Sequence, residues 1–254
     1  MEEIDLKPHR TQYWLNPTID DPERHAAQVA GLCELYAAAP SLREKGIHVV
    51  SSDEKTGIQA LERAAPTLPT RPGTVERREF EYVRHGTLCL TANFEVATGQ
   101  VIAPTIGVTR TEEEFARHIE QTIATALTDG WVFVLDGLNT HLSESLVRLV
   151  ASHDNSTADL GEKGKRGILH TMESRRAFLT DESHRVRFFY TPKHCSWLNQ
   201  VEIWFSILSR RALKRASFCS IGELETRLRD FIDYFNRVLA KPFRWTYSGR
   251  PLTA

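Results

Sequence analysis

Three acids of this chain sit where phosphate-transfer chemistry could use them. Asp53 closes the apolar run IHVVSS, Asp136 closes WVFVL, and Glu202 lies within TPKHCSWLNQVEIWF, residues 191–205. Asp and Glu are hard oxygen ligands suited to Mg²⁺ or Mn²⁺, and two or three convergent carboxylates can hold a pair of ions about 3.5–4 Å apart. Such a pair can activate water or a 3′-hydroxyl and stabilise the leaving oxygen of a phosphodiester. Each acid also has a plainer reading. An Asp at a strand end can simply start a turn. With Asn199 as N-cap, Glu202 falls at the third helical position and could close a capping box, with Leu198 and Ile203 as the hydrophobic staple. The two roles of Glu202 are compatible, because a helix N-terminus favours the ionised carboxylate that a metal requires.

The elements that must position these acids are legible in the hydrophobic pattern. DDPERHAAQVAGLCELYAAAP carries Val29, Leu32, Leu35 and Tyr36 at helical spacing, and IHVVSSDE, 47–54, reads as a buried strand ending in acids. The Pro-rich PTLPTRPG is a loop, and YVRHGTLCLTANFEVATGQVIAPTIGV supplies two or three strands with ATGQ as a turn. TEEEFARHIEQTIATALTDG is a helix, with acids in its first turn and Phe115, Ile119, Ile123 and Leu127 on one stripe. WVFVLDG is a second buried strand and SESLVRLVA a short helix capped by Ser143. Residues 152–185 are polar and aperiodic, a loop or an inserted subdomain; RVRFFYT is a strand, and IGELETRLRDFIDYFNRVL a final amphipathic helix. Strands alternating with helices in the second half predict an α/β layered domain whose later strands run parallel. Ligands of such sheets bind beyond the carboxyl ends of the strands, where Asp53 and Asp136 would converge.

Composition narrows the classes. The chain has 254 residues, 41% of them hydrophobic, enough for a sizeable core, and its 32 basic and 33 acidic residues give no global pull toward nucleic acid. Cys33, Cys89, Cys195 and Cys219 are widely spaced, which argues for free thiols in a reducing compartment rather than a zinc site or disulfide framework. No signal-peptide core and no run of eighteen apolar residues is present, so a cytoplasmic protein without membrane association is expected.

Taken together, Asp53-Glu54-Lys55, Asp136 in VLDGLNTH, and TPKHCSWLNQVEIWF resemble the three signature blocks of IS630-type transposases, relatives of the Tc1/mariner group. The resemblance runs over about residues 8–250. It implies an RNase H-like fold, with a mixed central sheet flanked by helices, and makes Asp53, Asp136 and Glu202 an acidic triad binding two Mg²⁺ ions, for which Mn²⁺ may substitute. It further implies cleavage of double-stranded transposon ends and strand transfer into target DNA, by a homodimer associated with the bacterial nucleoid. An RNase H-like nuclease without strand transfer, or a non-catalytic DNA-binding domain, are the alternatives. The chain departs from the family pattern at Gly137, where Asn is usual, and at Gln200, where Pro is common. Sixty-five residues separate Asp136 from Glu202, more than the group's usual few dozen, and the surplus maps onto 152–185. Residues 46–254 are accordingly expected to form the catalytic domain. Residues 1–45, including PHRTQYWLNP, are expected to be a linker and helix, the tail of a helix-turn-helix region, as in a catalytic fragment or one frame of a split transposase.

Around the acids, Asn139 and His141 could bond a phosphate or orient a carboxylate. Glu54 faces away from Asp53 and is left out of the triad. Lys55 could reach a phosphate. Arg210, Arg211, Lys214 and Arg215 form a basic cluster in which the last three share a helix face suited to a DNA backbone. Trp197 could stack on a base but reads rather as an apolar anchor beside the core, and the charges of 152–185 carry no assignment.

Overall fold

The computed structural model describes residue 19 and residues 21–247. PHRTQYWLNP therefore lies outside the described residues. Helix α1, Pro22–Glu44, starts where Asp21 accepts a hydrogen bond from the Arg24 N–H at 2.9 Å and Pro22 takes the first turn. The remaining elements are β1 (Ile47–Arg63), β2 (Tyr82–Glu95), β3 (Val101–Gly107), α2 (Glu112–Ile123), β4 (Gly130–Leu135), α3 (Glu144–His153), α4 (Met172–Leu179), β5 (Val186–Tyr190), α5 (Gln200–Leu208) and α6 (Ile221–Tyr234). A 3₁₀ turn, Asn139–Leu142, joins β4 to α3, and a π-helical turn, Ser209–Leu213, continues α5.

The five strands make one mixed sheet in the order β3-β2-β1-β4-β5. β1, β4 and β5 run parallel, as the alternation of strands and helices predicts, while β2 and β3 add the antiparallel edge. Helices cover both faces. On one, Val49, Val132 and Val134 pack with Leu32 and Tyr36 of α1, and Leu90, Ala92 and Phe94 pack with Trp204 and Phe205 of α5 and Leu228 of α6. On the other, Val50, Phe133 and Phe188 pack with Phe115 and Ile119 of α2 and Val147 of α3. The ATGQ turn forms between β2 and β3, and Gly99 is required there: its φ of +74° lies in the left-handed region, and a Cβ would sit 2.0 Å from the Lys241 carbonyl oxygen.

Three expectations are corrected. β1 does not end at its acids but continues through a bulge near Gly57 to Arg63, so Asp53 is a mid-strand residue; the partner strand β2 continues the ladder past it. α2 stops at Ile123, which leaves Leu127 off the stripe and 62% exposed. The 152–185 segment contains a helix, α4, whose capping box pairs Thr171 with Ser174. Only Leu179 of that helix is fully buried, too sparse a pattern to register as periodic.

Candidate active site

The parallel register pairs Ser51 with Val134, which brings Asp53 level with Asp136 on the face covered by α1 and α5. The two carboxylates are close enough to act on each other electrostatically, yet their environments differ. Burial raises the Asp53 pKa to about 7; the Glu54 N–H bonded to its Oδ1 pulls against this, and the charge of Asp136 adds to it. Burial also works against the charged form of Asp136. There a 2.6 Å hydrogen bond from His141 Nδ1, with the imidazole's charge and the Leu138 N–H at 3.1 Å, outweighs it and holds the carboxyl below its ordinary value.

His141 is wholly buried, and its Nε2 meets Glu54 Oε2 at 3.1 Å. Burial disfavours its charge, but the bonds to Asp136 and Glu54 prevail and raise its pKa to about 9. Of the two roles expected for His141, the bonds to Asp136 and Glu54 fit the orienting of a carboxylate. Asn139, two residues earlier, is exposed.

Glu202 is placed differently. Asn199 holds the N-cap position of α5 without a side-chain capping bond. Its amide instead reaches into β1, donating to the Ser52 carbonyl at 3.1 Å and Asp53 Oδ2 at 3.3 Å, and accepting from the Ser51 hydroxyl. Ser51 Oγ in turn accepts from the Val201 N–H at 2.8 Å, so a strand hydroxyl caps the helix from outside it. The capping box expected around Glu202 is therefore absent; of the two residues of the expected staple Leu198 is buried and Ile203 is 38% exposed, and Glu202 is exposed on the first turn. Asn199 pins that turn to Asp53. Among the described residues, no three His, Cys, Asp or Glu side chains are gathered closely enough to hold an ion. Asp53 and Asp136 are thus brought together, and Glu202 lies outside their pair on the first turn of α5.

The donor chemistry nonetheless fits a divalent cation. Asp53 and Asp136 offer hard-oxygen carboxylates, and a bound cation would relieve the cost that burial and the neighbouring charge place on Asp53. A cleft of about 710 Å³ opens beside Asp136, lined in part by Arg24, His25, Arg176, Lys193 and His194.

The basic cluster after α5 is divided. A π-helical turn replaces regular α-helix at 209–213, so the spacing expected to align Arg211, Lys214 and Arg215 is not that of an α-helix there. Arg210 and Lys214 line a groove of about 570 Å³ together with Lys55 and Arg63, while Arg211 and Arg215 are exposed outside it. Trp197 is no core anchor: it is 53% exposed, edge-on to Tyr247. The polar insert has a structural part that its sequence did not disclose. Arg175 donates to the Leu142 carbonyl at 2.7 Å, and Arg176 lies 4.5 Å over the Tyr190 ring, so α4 buttresses the turn carrying His141. Glu54 and Ser51 were also missed as site residues; the SS before Asp53 and the His five residues after Asp136 are the signals that mark them.

The mixed five-stranded sheet flanked by helices is an RNase H-like fold, with Asp53 and Asp136 on its adjacent parallel strands β1 and β4. Residues 48–225 match the family described as DDE superfamily endonuclease, and the chain belongs to that family. The fold is similar to that of the Mos1 mariner paired-end complex with Mn, with a TM-score of 0.53 and 13% identity over 88% of this chain and 59% of that one. It is likewise similar to the catalytic domain of Mos1 mariner transposase, with a TM-score of 0.50 and 10% identity over 87% and 85% of the two chains. The chain thus spans about three fifths of the length of the transposase in the paired-end complex. No curated protein sequence matches it.

Proposed function

We propose that this chain is the catalytic domain of a DNA transposase of the IS630 branch of the Tc1/mariner group, with residues 46–254 as the catalytic unit. The observation that carries this reading is the alignment of Asp53 with Asp136 on adjacent parallel strands, beside a helix that Asn199 ties to Asp53. Asp53, Asp136 and Glu202 are the ligands in this reading, with Glu202 swinging or shifting inward from its exposed turn to complete the set. Mg²⁺ or Mn²⁺, two ions in the full form, would supply activation of water or a 3′-hydroxyl and stabilise the leaving oxygen.

The chain's own residues orient and hold. Asn199 and the Glu54 N–H fix the Asp53 oxygens, and His141 fixes Asp136. Arg210 and Lys214, with Lys55, present cations for a double-stranded DNA backbone, and Arg211, Arg215 and Asn139 are exposed for outer contacts. A homodimer on paired ends follows from the same reading. The test is an oligonucleotide carrying a pre-cut 3′ end, incubated with plasmid and Mg²⁺. Joined product that disappears in Asp136→Asn is the expected result; hydrolysis without joining would make the chain a nuclease instead.

A further inference from the structure

Glu54 is an acid without a place in the ligand set. It lies on the opposite sheet face from Asp53, and its side chain is only 2% exposed. A buried carboxylate needs a charged or strongly donating partner, and the one it meets is His141 Nε2 at 3.1 Å. The other ring nitrogen of His141 meets Asp136 Oδ1 at 2.6 Å. An imidazole with a carboxylate at each nitrogen satisfies both only when both nitrogens donate. The ring is also held in place: Phe115 packs 4.4 Å from it, and Tyr190 Oη donates to the His141 carbonyl at 2.7 Å.

Asp136 Oδ1 therefore receives two donors, His141 Nδ1 and the Leu138 N–H at 3.1 Å, whereas Oδ2 has no partner among the described residues. We infer that Glu54 and His141 are a positioning pair that holds Asp136 by its Oδ1 and leaves Oδ2 free for a cation. Glu54 acts through the ring. The inference rests on Asp136 being a ligand, and it extends the acidic set across the sheet to a residue on the opposite face.

Mn²⁺ binding to the DNA-free chain, followed by the electron paramagnetic resonance signal of free Mn²⁺, tests it without recourse to activity. Melting in chelator serves as the control for folding. Glu54→Gln and His141→Gln should each weaken Mn²⁺ about tenfold while the metal-free protein still melts cooperatively, in line with the effect of outer partners on metal sites. Because Glu54 acts through His141, Glu54→Gln should cost nothing further in the His141→Gln background. A packing role would give no such coupling in metal affinity. Wild-type Mn²⁺ affinity in the single variants, or additive losses in the double variant, overturns the inference. Should Glu54→Gln alone not melt cooperatively, the double variant, which removes charged donor and charged acceptor together, is compared with His141→Gln, and unaltered wild-type affinity in it is again the overturning result. Asp136→Asn separates the two levels of argument. If it binds Mn²⁺ as the wild type does, Asp136 is no ligand and the underlying reading falls; if it loses Mn²⁺ while the pair's variants keep it, only the positioning pair falls.

Discussion

Asp53 and Asp136 lie side by side on neighbouring parallel strands, yet the protein treats their charges in opposite ways. Asp136 stands at the end of β4, where the chain turns over the sheet and brings back a histidine and a backbone N–H to hold its charge. Asp53 sits mid-strand, with β2 on its far side, where burial outweighs the amides that reach it. The pairing of a settled acid with an unsettled one shows how a sheet can store an electrostatic cost at a site that a cation would relieve. Position in the ladder decides which acid is which.

The largest test of that contrast is to neutralise each acid in turn and compare metal-free stability. Asp136→Asn removes the charge that His141 and Glu54 are arranged around, and is expected to destabilise by about 2 kcal/mol. Asp53→Asn removes a charge the fold disfavours, and is expected to stabilise by about 1–2 kcal/mol at pH 8. Both should lose metal-dependent cleavage. Urea unfolding in chelator checks the signs; shifts in the same direction would mean that the two acids share one environment after all.

The pH dependence sharpens the same contrast. The folded protein holds a proton on Asp53 up to about pH 7, whereas the unfolded chain releases it near 3.8, so this residue makes stability fall as pH rises between those values. The slope is about 1.4 kcal/mol per pH unit for one proton. His141, raised from 6.5 to about 9, contributes stability that is present below 6.5 and lost as pH climbs through 9. Asp136 works at the acid end: its contribution is present above 3.8 and lost as pH falls through its depressed folded value. Measured between pH 4.5 and 7 in chelator, Asp53→Asn should therefore show a flatter loss of stability than the wild type. Parallel curves would remove the burial account of Asp53.

How far these features were legible in the sequence follows from their range. The strands and helices that place Asp53 and Asp136 came through as periodicity, and the acid after WVFVL stood where β4 ends. The continuation of β1 past Asp53 did not, because EKTG breaks the apolar pattern while β2 still pairs with it. Strand alternation points Glu54 to the face opposite Asp53; what it could not disclose is that the loop after β4 carries His141 to that face. The spacing around Asn199 predicts a local cap, because local spacing cannot tell a cap from a residue whose partners, Ser51 to Asp53, lie almost 150 positions away. Contacts within a turn are written in the sequence, and contacts between elements are not.

Ser51 gives a smaller effect. Its hydroxyl links Asn199 and the Val201 N–H, so Ser51→Ala leaves the α5 N-terminus uncapped and should cost about 1–2 kcal/mol. Cleavage should fall more than stability alone explains, because the helix start that carries Glu202 is no longer tied to β1. Rescue by Ser51→Thr, which restores the hydroxyl, distinguishes the lost bond from a packing defect; equal impairment in both variants would deny the cap.

Glu202→Gln is expected to have the smallest effect on stability and is the most informative about the third acid. In the capping-box reading the carboxylate would close a bond to the Asn199 N–H, and its loss would be felt in folding. Here that N–H goes to the Ser196 carbonyl at 2.8 Å, and Glu202 is exposed on a turn capped by Ser51. An exposed side chain that makes no such bond changes stability by less than about 0.5 kcal/mol when replaced. The melting temperature in chelator should therefore stay at the wild-type value, while Mn²⁺ binding and cleavage drop as they do for Asp136→Asn. A lowered melting temperature would return Glu202 to the role of a cap, and full cleavage would leave Asp53 and Asp136 as a two-acid site.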